Sequence, residues 1–241
     1  MSGEGRRPLD QYLKEAVVIV GSILLAFGID AWWEGRGEAE RREALLEGLA
    51  ADFALAEEQL GLARRAHSEV REVAARWLVL ARSGSPARDH VAVADTLVSE
   101  MAWTLVTRPP MGTLDALLQS GDLSLIQNQE LLGALTNWSS TLEYLNDFER
   151  TGADQWYEDV TPYLRRAGIP ITDLVWTRRG TPNVYPVEPR RTEVFRLLVD
   201  TEWESIVQAR WYIYEDVLLM EEDAREQLDL IRGLLRGELG H

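Results

Sequence analysis

Apolar positions in this chain fall into two long stripes and one unbroken run. The first stripe reads Leu45, Leu49, Phe53, Ala56, Leu60, Ala63, His67, Val70, Ala74, Trp77 and Ala81, at spacings of three or four. This is the period of a single helix face, sustained over about ten turns. Charged residues such as Glu40, Arg41, Glu47, Glu57, Glu58, Arg64 and Arg65 fall mostly off it. The second stripe reads Trp203, Ile206, Arg210, Ile213, Val217, Met220, Ala224, Leu228, Ile231 and Leu235. Ahead of it, Thr201 and Glu204 have the spacing of a capping box. Two such stripes can cover each other as antiparallel helices.

The segments between them read as shorter helices. Ser83-Gly84-Ser85-Pro86 stops the first helix, and Ser85 with Pro86 starts another that runs to about Trp103. Arg108-Pro109-Pro110 breaks that one. A short helix over 113–119 is closed by Ser120-Gly121-Asp122, and Leu123 to Ile126 lead into a helix over 129–149. A further short helix is predicted over 154–166. From 168 to 190 the period fails around Pro170, Gly180, Pro182, Pro186 and Pro189. A long loop is expected there, with a small hairpin around 175–187. The fold class is mainly α, a long-helix bundle with one Pro-rich loop.

The unbroken run is 16–29, AVVIVGSILLAFGI, without a charge. Tyr12 precedes it and Trp32 and Trp33 follow, as interfacial aromatics do. Lys14 can snorkel its ammonium toward headgroups. From Tyr12 to Trp33 a helix reaches about 33 Å, enough to cross a bilayer. No small-x-small cleavage site follows, so the segment is expected to stay as an uncleaved anchor rather than leave as a signal peptide. The division is then a short tail over 1–11, a transmembrane anchor over 12–34 and an extramembrane domain over 35–241. Gly35 and Gly37 are the weak points between the last two, where a long helix either continues or kinks. Ser22 and Ala26 share one face of the span and could admit a neighbouring helix. Asp30, near the outer end, reads as an interfacial acid.

Orientation is not decided by flanking charge. Arg6, Arg7 and Lys14 precede the span, and Arg36, Arg41 and Arg42 follow it. A short basic head before a single apolar run favours a signal anchor in a bacterial inner membrane. The N-terminus is then cytoplasmic and the domain periplasmic.

Composition narrows the chemistry. The chain has 241 residues and 27.3 kDa, 46% hydrophobic and 27% charged, which suffices for a real core. It has no Cys, which excludes disulfides, thiolate metal sites and a cysteine nucleophile. The net charge is −15, and the part from Gly35 onward holds 22 Arg against 35 acids. Such a surface repels phosphate, so nucleic acid is not an expected partner.

Catalytic motifs are missing. No phosphate loop, nucleotide fingerprint or nucleophile elbow occurs. Of the three histidines, His67 lies on the first stripe and reads as a packed, hydrogen-bonded side chain. His90 and His241 lie in a connection and at the C-terminus. The acids Glu57, Glu58, Asp115, Glu158, Asp159, Asp200, Glu202, Glu221 and Glu222 are expected on solvated faces. A di-metal carboxylate site would need Glu-x-x-His twice, and the sequence does not carry it twice. No catalytic, cofactor or metal residue is assigned, and the chain does not read as an enzyme.

Nine tryptophans are many. Trp77, Trp103, Trp138, Trp203 and Trp211 suit helix interiors with their N–H groups satisfied internally. Trp156 and Trp176 fall near the loop-rich region. Around that loop Trp176, Arg178, Arg179, Tyr185, Arg190 and Arg191 form a basic, aromatic stretch on an acidic protein. It is the candidate interface, the alternative being a loop folded back on the acidic helices.

Residues 13–55 and 113–135 carry a resemblance. The first stretch resembles the start of an uncharacterised bacterial family of single-pass membrane proteins, in which a GILLA-type span enters a Trp-containing turn. A charged helix with a leucine and an aspartate follows. The second resembles that family's other motif, a helix, an S-G-D/K-L turn and a leucine-rich helix. Here Gly28-Ile29-Asp30-Ala31 stands where the family more often has a Gln or Asn pair. The resemblance implies a membrane-anchored helical protein and no assigned reaction.

Together these features favour a non-catalytic accessory subunit of a larger membrane complex. It would bind the bilayer and other integral subunits. Energy-converting assemblies, such as a photosynthetic reaction centre with its antenna or a respiratory complex, are hosts of the right kind. A membrane-anchored extracytoplasmic ligand-binding or sensor bundle is the alternative.

Overall fold

The computed structural model describes residues 9–83, 97–98, 100–102, 104–169 and 196–240, with side chains from Ile19 onward. Most of the helix expected from Ser85, with Trp103, His90, His241 and nearly all of the Pro-rich loop, lies outside the described residues. Trp176, Arg178, Arg179, Tyr185, Arg190 and Arg191 lie there too.

The first stripe belongs to α1, one helix from Leu9 to Ala81. Its 73 residues make a rod of about 110 Å. It runs without interruption through Gly35 and Gly37. Each glycine costs a helix about 1 kcal/mol. Local side chains work against that cost: Arg36 Nε donates to Glu40 at 3.2 Å, and Arg41 Nε to the Gly37 carbonyl at 3.2 Å. Past Ala81 the Ser83 hydroxyl donates to the Leu80 carbonyl at 2.8 Å, where the Ser-Gly-Ser-Pro stop was read.

Helix α2 spans Gly112–Ser120. Its own N-cap residue, Met111, supplies no side-chain cap. Asp52 of α1 does so instead, accepting from Thr113 N–H at 2.7 Å and Leu114 N–H at 3.2 Å. Gly48 makes this approach possible, since a Cβ there would stand 2.9 Å from the Thr113 side chain. The stretches 13–55 and 113–135 therefore meet at a single carboxylate. Gly121 ends α2 with φ +76, a value that favours glycine. A 3-10 turn over Asp122–Leu125 leads to α3, Gln129–Gln155, whose N-cap Asn128 accepts from Glu130 N–H and Leu131 N–H.

The chain was expected to break between 149 and 154. Instead α3 passes through a π turn, Trp156–Val160, into α4, Thr161–Arg166. No residue between Glu149 and Asp154 forbids helix. Pro162 lies in the first turn of α4. It has no N–H and its ring crowds the preceding turn, and a wider turn ahead of it relieves both.

Helix α5 spans Thr201–Leu239. The capping-box reading is corrected here. Asp200, not Thr201, is the N-cap, accepting from Glu202 N–H at 2.9 Å and Trp203 N–H at 3.0 Å. The Trp203 N–H, with a bond from the Tyr163 hydroxyl and one from Glu202 N–H, outweighs burial and holds the Asp200 carboxyl below its usual value. Glu204 pairs with Arg82 at 2.7 Å rather than turning back on the cap.

Helices α1 and α5 pack antiparallel over their whole shared length. Cross-helix pairs mark the register: Arg42 with Glu238, Glu57 with Arg232, Arg64 with Glu222, Arg71 with Glu215 and Arg82 with Glu204. Helix α3 lies antiparallel to α5 and so parallel to α1. Most stripe residues of α1 and α5 are buried, but Leu45, Ala81, Ile206, Ile213 and Met220 are half-buried, and on α5 Val207, Tyr214 and Glu221 take the inward positions beside the last three. The apolar core is in two parts. One joins Leu46 to Leu60 of α1 with Leu131 to Leu145 of α3 and Val217 to Leu235 of α5. The other joins Val73 to Leu78 with Trp156 to Ile169 and Trp203 to Val207.

Replacing Asp52 with Ala should lower stability by about 1 kcal/mol, or a few degrees in Tm. Asp52→Asn should retain most of it. Calorimetry of the two variants against the parent protein checks this.

Candidate functional site

Between the two parts of the core lies a polar layer. His67, Glu149 and Glu221 are each at most 2% exposed, and Thr107, Gln155 and Arg210 are buried with them. Each helix contributes at one level: His67 from α1, Glu149 and Gln155 from α3, Arg210, Tyr214 and Glu221 from α5. In every case the polar residue occupies a position where the helical period calls for an apolar one. Val217, Glu221 and Ala224 are successive inward positions of α5; Leu145, Glu149 and Gly152 are successive inward positions of α3.

His67 lies at the centre. Its Nε2 is 3.1 Å from the Leu105 carbonyl and its Nδ1 is 2.7 Å from Glu221 Oε1. A carbonyl only accepts, so Nε2 carries a proton. The Nδ1 contact therefore also needs a proton, held by the imidazolium or by the acid. Burial disfavours the charged ring, but the Glu221 hydrogen bond and charge, the Glu149 charge and the Leu105 carbonyl together outweigh it. His67 is held above the ordinary imidazole value. Glu149 accepts from Thr107 N–H at 2.7 Å and Thr107 Oγ1 at 2.5 Å. Burial, with repulsion from Glu221, still pushes its carboxyl above the usual range.

Arg210 forms the second half of the layer. Nε donates to the Met101 carbonyl at 2.9 Å; Nη1 donates to the Gly152 carbonyl at 3.2 Å and Gln155 Oε1 at 3.0 Å. The guanidinium lies 5.1 Å from the Trp156 ring centroid and 5.0 Å from that of Tyr214. Such faces stabilise a desolvated cation. Burial lowers its pKa and Tyr214 opposes the shift. Tyr214 also packs 5.5 Å from the His67 ring and so links the two halves. Burial raises the Tyr214 pKa. Gly152 permits that placement, because a Cβ there would meet the Tyr214 ring and hydroxyl at 3.2 Å.

Several sequence expectations are now placed. His67 is packed and hydrogen-bonded as read. Glu221 was assigned to a solvated face; it is fully buried, because the face of α5 that carries Val217 and Ala224 also carries it. The sequence assigns no metal residue and does not carry the paired Glu-x-x-His of a di-metal site. The structure nevertheless brings donor atoms of His67, Glu149 and Glu221 within 4.8 Å of one another, from three helices far apart in sequence. Trp77, Trp138 and Trp203 are core residues as expected, yet their indole N–H groups have no hydrogen-bond partner among the described residues. Ring packing surrounds them instead: Trp138 lies 5.3 Å from Phe53, and Trp203 6.0 Å from Trp77. Trp156, read as near the loop, is buried under Arg210. Trp211 is half-buried. Ser22, Ala26, Trp32 and Trp33 stand exposed on α1, far from this layer.

No family model, curated protein or solved structure matches the chain.

Two measurements probe the layer. His67 and Glu149 both bind protons more tightly in the folded than in the unfolded state. Their contribution is full below the unfolded values, 4.5 for Glu149 and 6.5 for His67, and is lost as pH rises through the raised folded values. With chelator present, Tm should therefore fall as pH rises above 6.5, and His67→Gln should flatten that fall. Arg210→Ala should cost about 3–5 kcal/mol in denaturant unfolding, through a cavity and through loss of the bonds to the Met101 carbonyl and Gln155 Oε1.

Proposed function

We propose that the protein is a non-catalytic, membrane-anchored accessory subunit of a larger membrane complex, its bundle held off the bilayer by α1. The observation that carries this is the continuity of α1. The helix that forms one side of the bundle from Leu46 onward also carries Ile19, Val20, Ile23, Leu24, Leu25, Phe27 and Ile29, all about half or more exposed. These side chains point to several faces of the helix and are largely uncovered among the described residues. An apolar helix without a protein partner is at home in lipid. Trp32 and Trp33 stand at its end, with the Arg36 guanidinium 5.9 Å from the Trp32 ring centroid, as at a headgroup boundary. Among the described side chains no helix is long and apolar enough to cross a membrane. The anchor draws also on Ala16, Val17 and Val18, which precede them in the run.

The polar layer supports the non-catalytic half of the reading. Its acids, base and cation are buried, and most of their polar atoms bond to backbone, to Thr107 or to one another. The periplasmic placement of the bundle, and the family resemblance of residues 13–55 and 113–135, belong to the same proposal. A ligand-binding bundle is the second reading, favoured by the polar groups at mid-core.

Leu24→Arg should shift the protein from membranes to the soluble fraction, since a central Arg costs insertion about 2.5–3.5 kcal/mol. Retention in membranes would remove the anchor. Native mass spectrometry after detergent extraction then separates the two readings: fixed-stoichiometry partners support a subunit, and a lone chain supports a ligand-binding bundle.

A further inference from the structure

We propose that His67, Glu149 and Glu221 bind one divalent transition-metal cation of the zinc or manganese class, joining α1, α3 and α5 at mid-bundle. The first observation is the juxtaposition itself. One imidazole and two carboxylates from three helices place donor atoms within 4.8 Å of one another, at exposures of 1%, 2% and 0%. Buried carboxylates this close oppose each other unless a positive charge lies between them.

The second observation is independent of the clustering. Glu221 Oε2 is buried and has no hydrogen-bond partner among the described residues. A carboxylate that uses one oxygen and leaves the other dry is short of a ligand. Bidentate binding by Glu221 would use both oxygens, and with His67 and Glu149 it would supply four donors, the usual number for zinc.

The surroundings are those of a supported site. Nε2–H of His67 donates to the Leu105 carbonyl, which leaves Nδ1, on the Glu221 side, as the metal-binding nitrogen. Ligating histidines are commonly fixed through their other nitrogen in this way. Thr107 holds Glu149 through both its N–H and its hydroxyl. The Nδ1 to Oε1 distance of 2.7 Å is that of a shared proton. Bonds of about 2.0–2.2 Å to a cation would open it by about half an ångström, within reach of side-chain adjustment.

The donor set selects the ion. Imidazole disfavours calcium and magnesium, and the lack of thiolate or thioether donors disfavours copper(I). Closure on every side marks a structural rather than a hydrolytic role. The inference does not depend on where the chain is anchored.

The test uses the full chain in detergent, stripped with chelator, desalted, and titrated separately with zinc, manganese and cobalt(II). One tight equivalent is expected, with a raised Tm and, for cobalt, visible bands stronger than those of the aqua ion. Glu221→Gln and Glu149→Gln should each weaken binding at least about tenfold. Absence of a stoichiometric site in the parent protein would overturn the proposal. So would unchanged affinity in variants that still melt cooperatively, because surface acids would then be holding the ion. Should both variants fail to fold, the parent's cobalt spectrum decides, and an aqua-ion spectrum rejects the site.

Discussion

The structure depends on charge buried in the middle of an apolar bundle. Apolar stripes alone hold helices together while leaving their axial alignment loosely specified, because one leucine packs much like the next. His67, Glu149, Arg210 and Glu221 remove that freedom. A shift of α5 by one turn would set Glu221 or Arg210 against apolar side chains, leaving a buried group unpaired at a cost of several kcal/mol. The layer thus acts as a register pin, as a single polar core position does in a coiled coil. It also organises the connection between α1 and α2. The carbonyls of Met101 and Leu105 and both donors of Thr107 bond to Arg210, His67 and Glu149. Met101, Leu105 and Thr107 are thereby held against the bundle.

A second polar assembly closes the opposite end. Glu238, in the last turn of α5, accepts from Arg42 of α1 and from Asn128 Nδ2 at 3.0 Å. Asn128 is at the same time the N-cap of α3. One carboxylate so joins the end of α5 and the start of α3 to the middle of α1, at the point where α1 leaves the bundle. With the unbroken passage of α1 through Gly35 and Gly37, this makes the apolar segment a rigid extension of the domain. Tilt or displacement at the apolar end is transmitted to the bundle without a hinge among the described residues. Such a connection suits a part that fixes the position of a domain.

How much was legible in the sequence follows from what each feature depends on. The two stripes were readable because helical period is local, and most stripe residues are buried. The α2 boundaries were readable because Gly121 and the diproline at 109–110 act through their own backbone. The break expected after 149 was misplaced because the π turn answers Pro162, some ten residues later. The capping box misled because Asp200 competes with Thr201 for the same amide groups and bonds two of them. Glu221 and Glu149 were missed for a different reason. Charge alone suggests solvent, whereas their spacing from Val217 and Leu145 suggests the interior. A polar residue interrupting an apolar period was the available signal, and Arg210 on the second stripe showed the same pattern.

The sequence by itself determined that the chain is helical, which faces are apolar, where the two long helices run, and that an uncharged segment precedes an acidic domain. These follow from period, propensity and composition, which neighbours in the chain carry unaided. Tertiary structure alone decided that Asp52 caps a helix some sixty residues away. It alone brought an imidazole, two carboxylates and a guanidinium from three helices into one dry layer. The physical reason is that a buried polar group is defined by its partners, and those partners are chosen by the packing of distant helices.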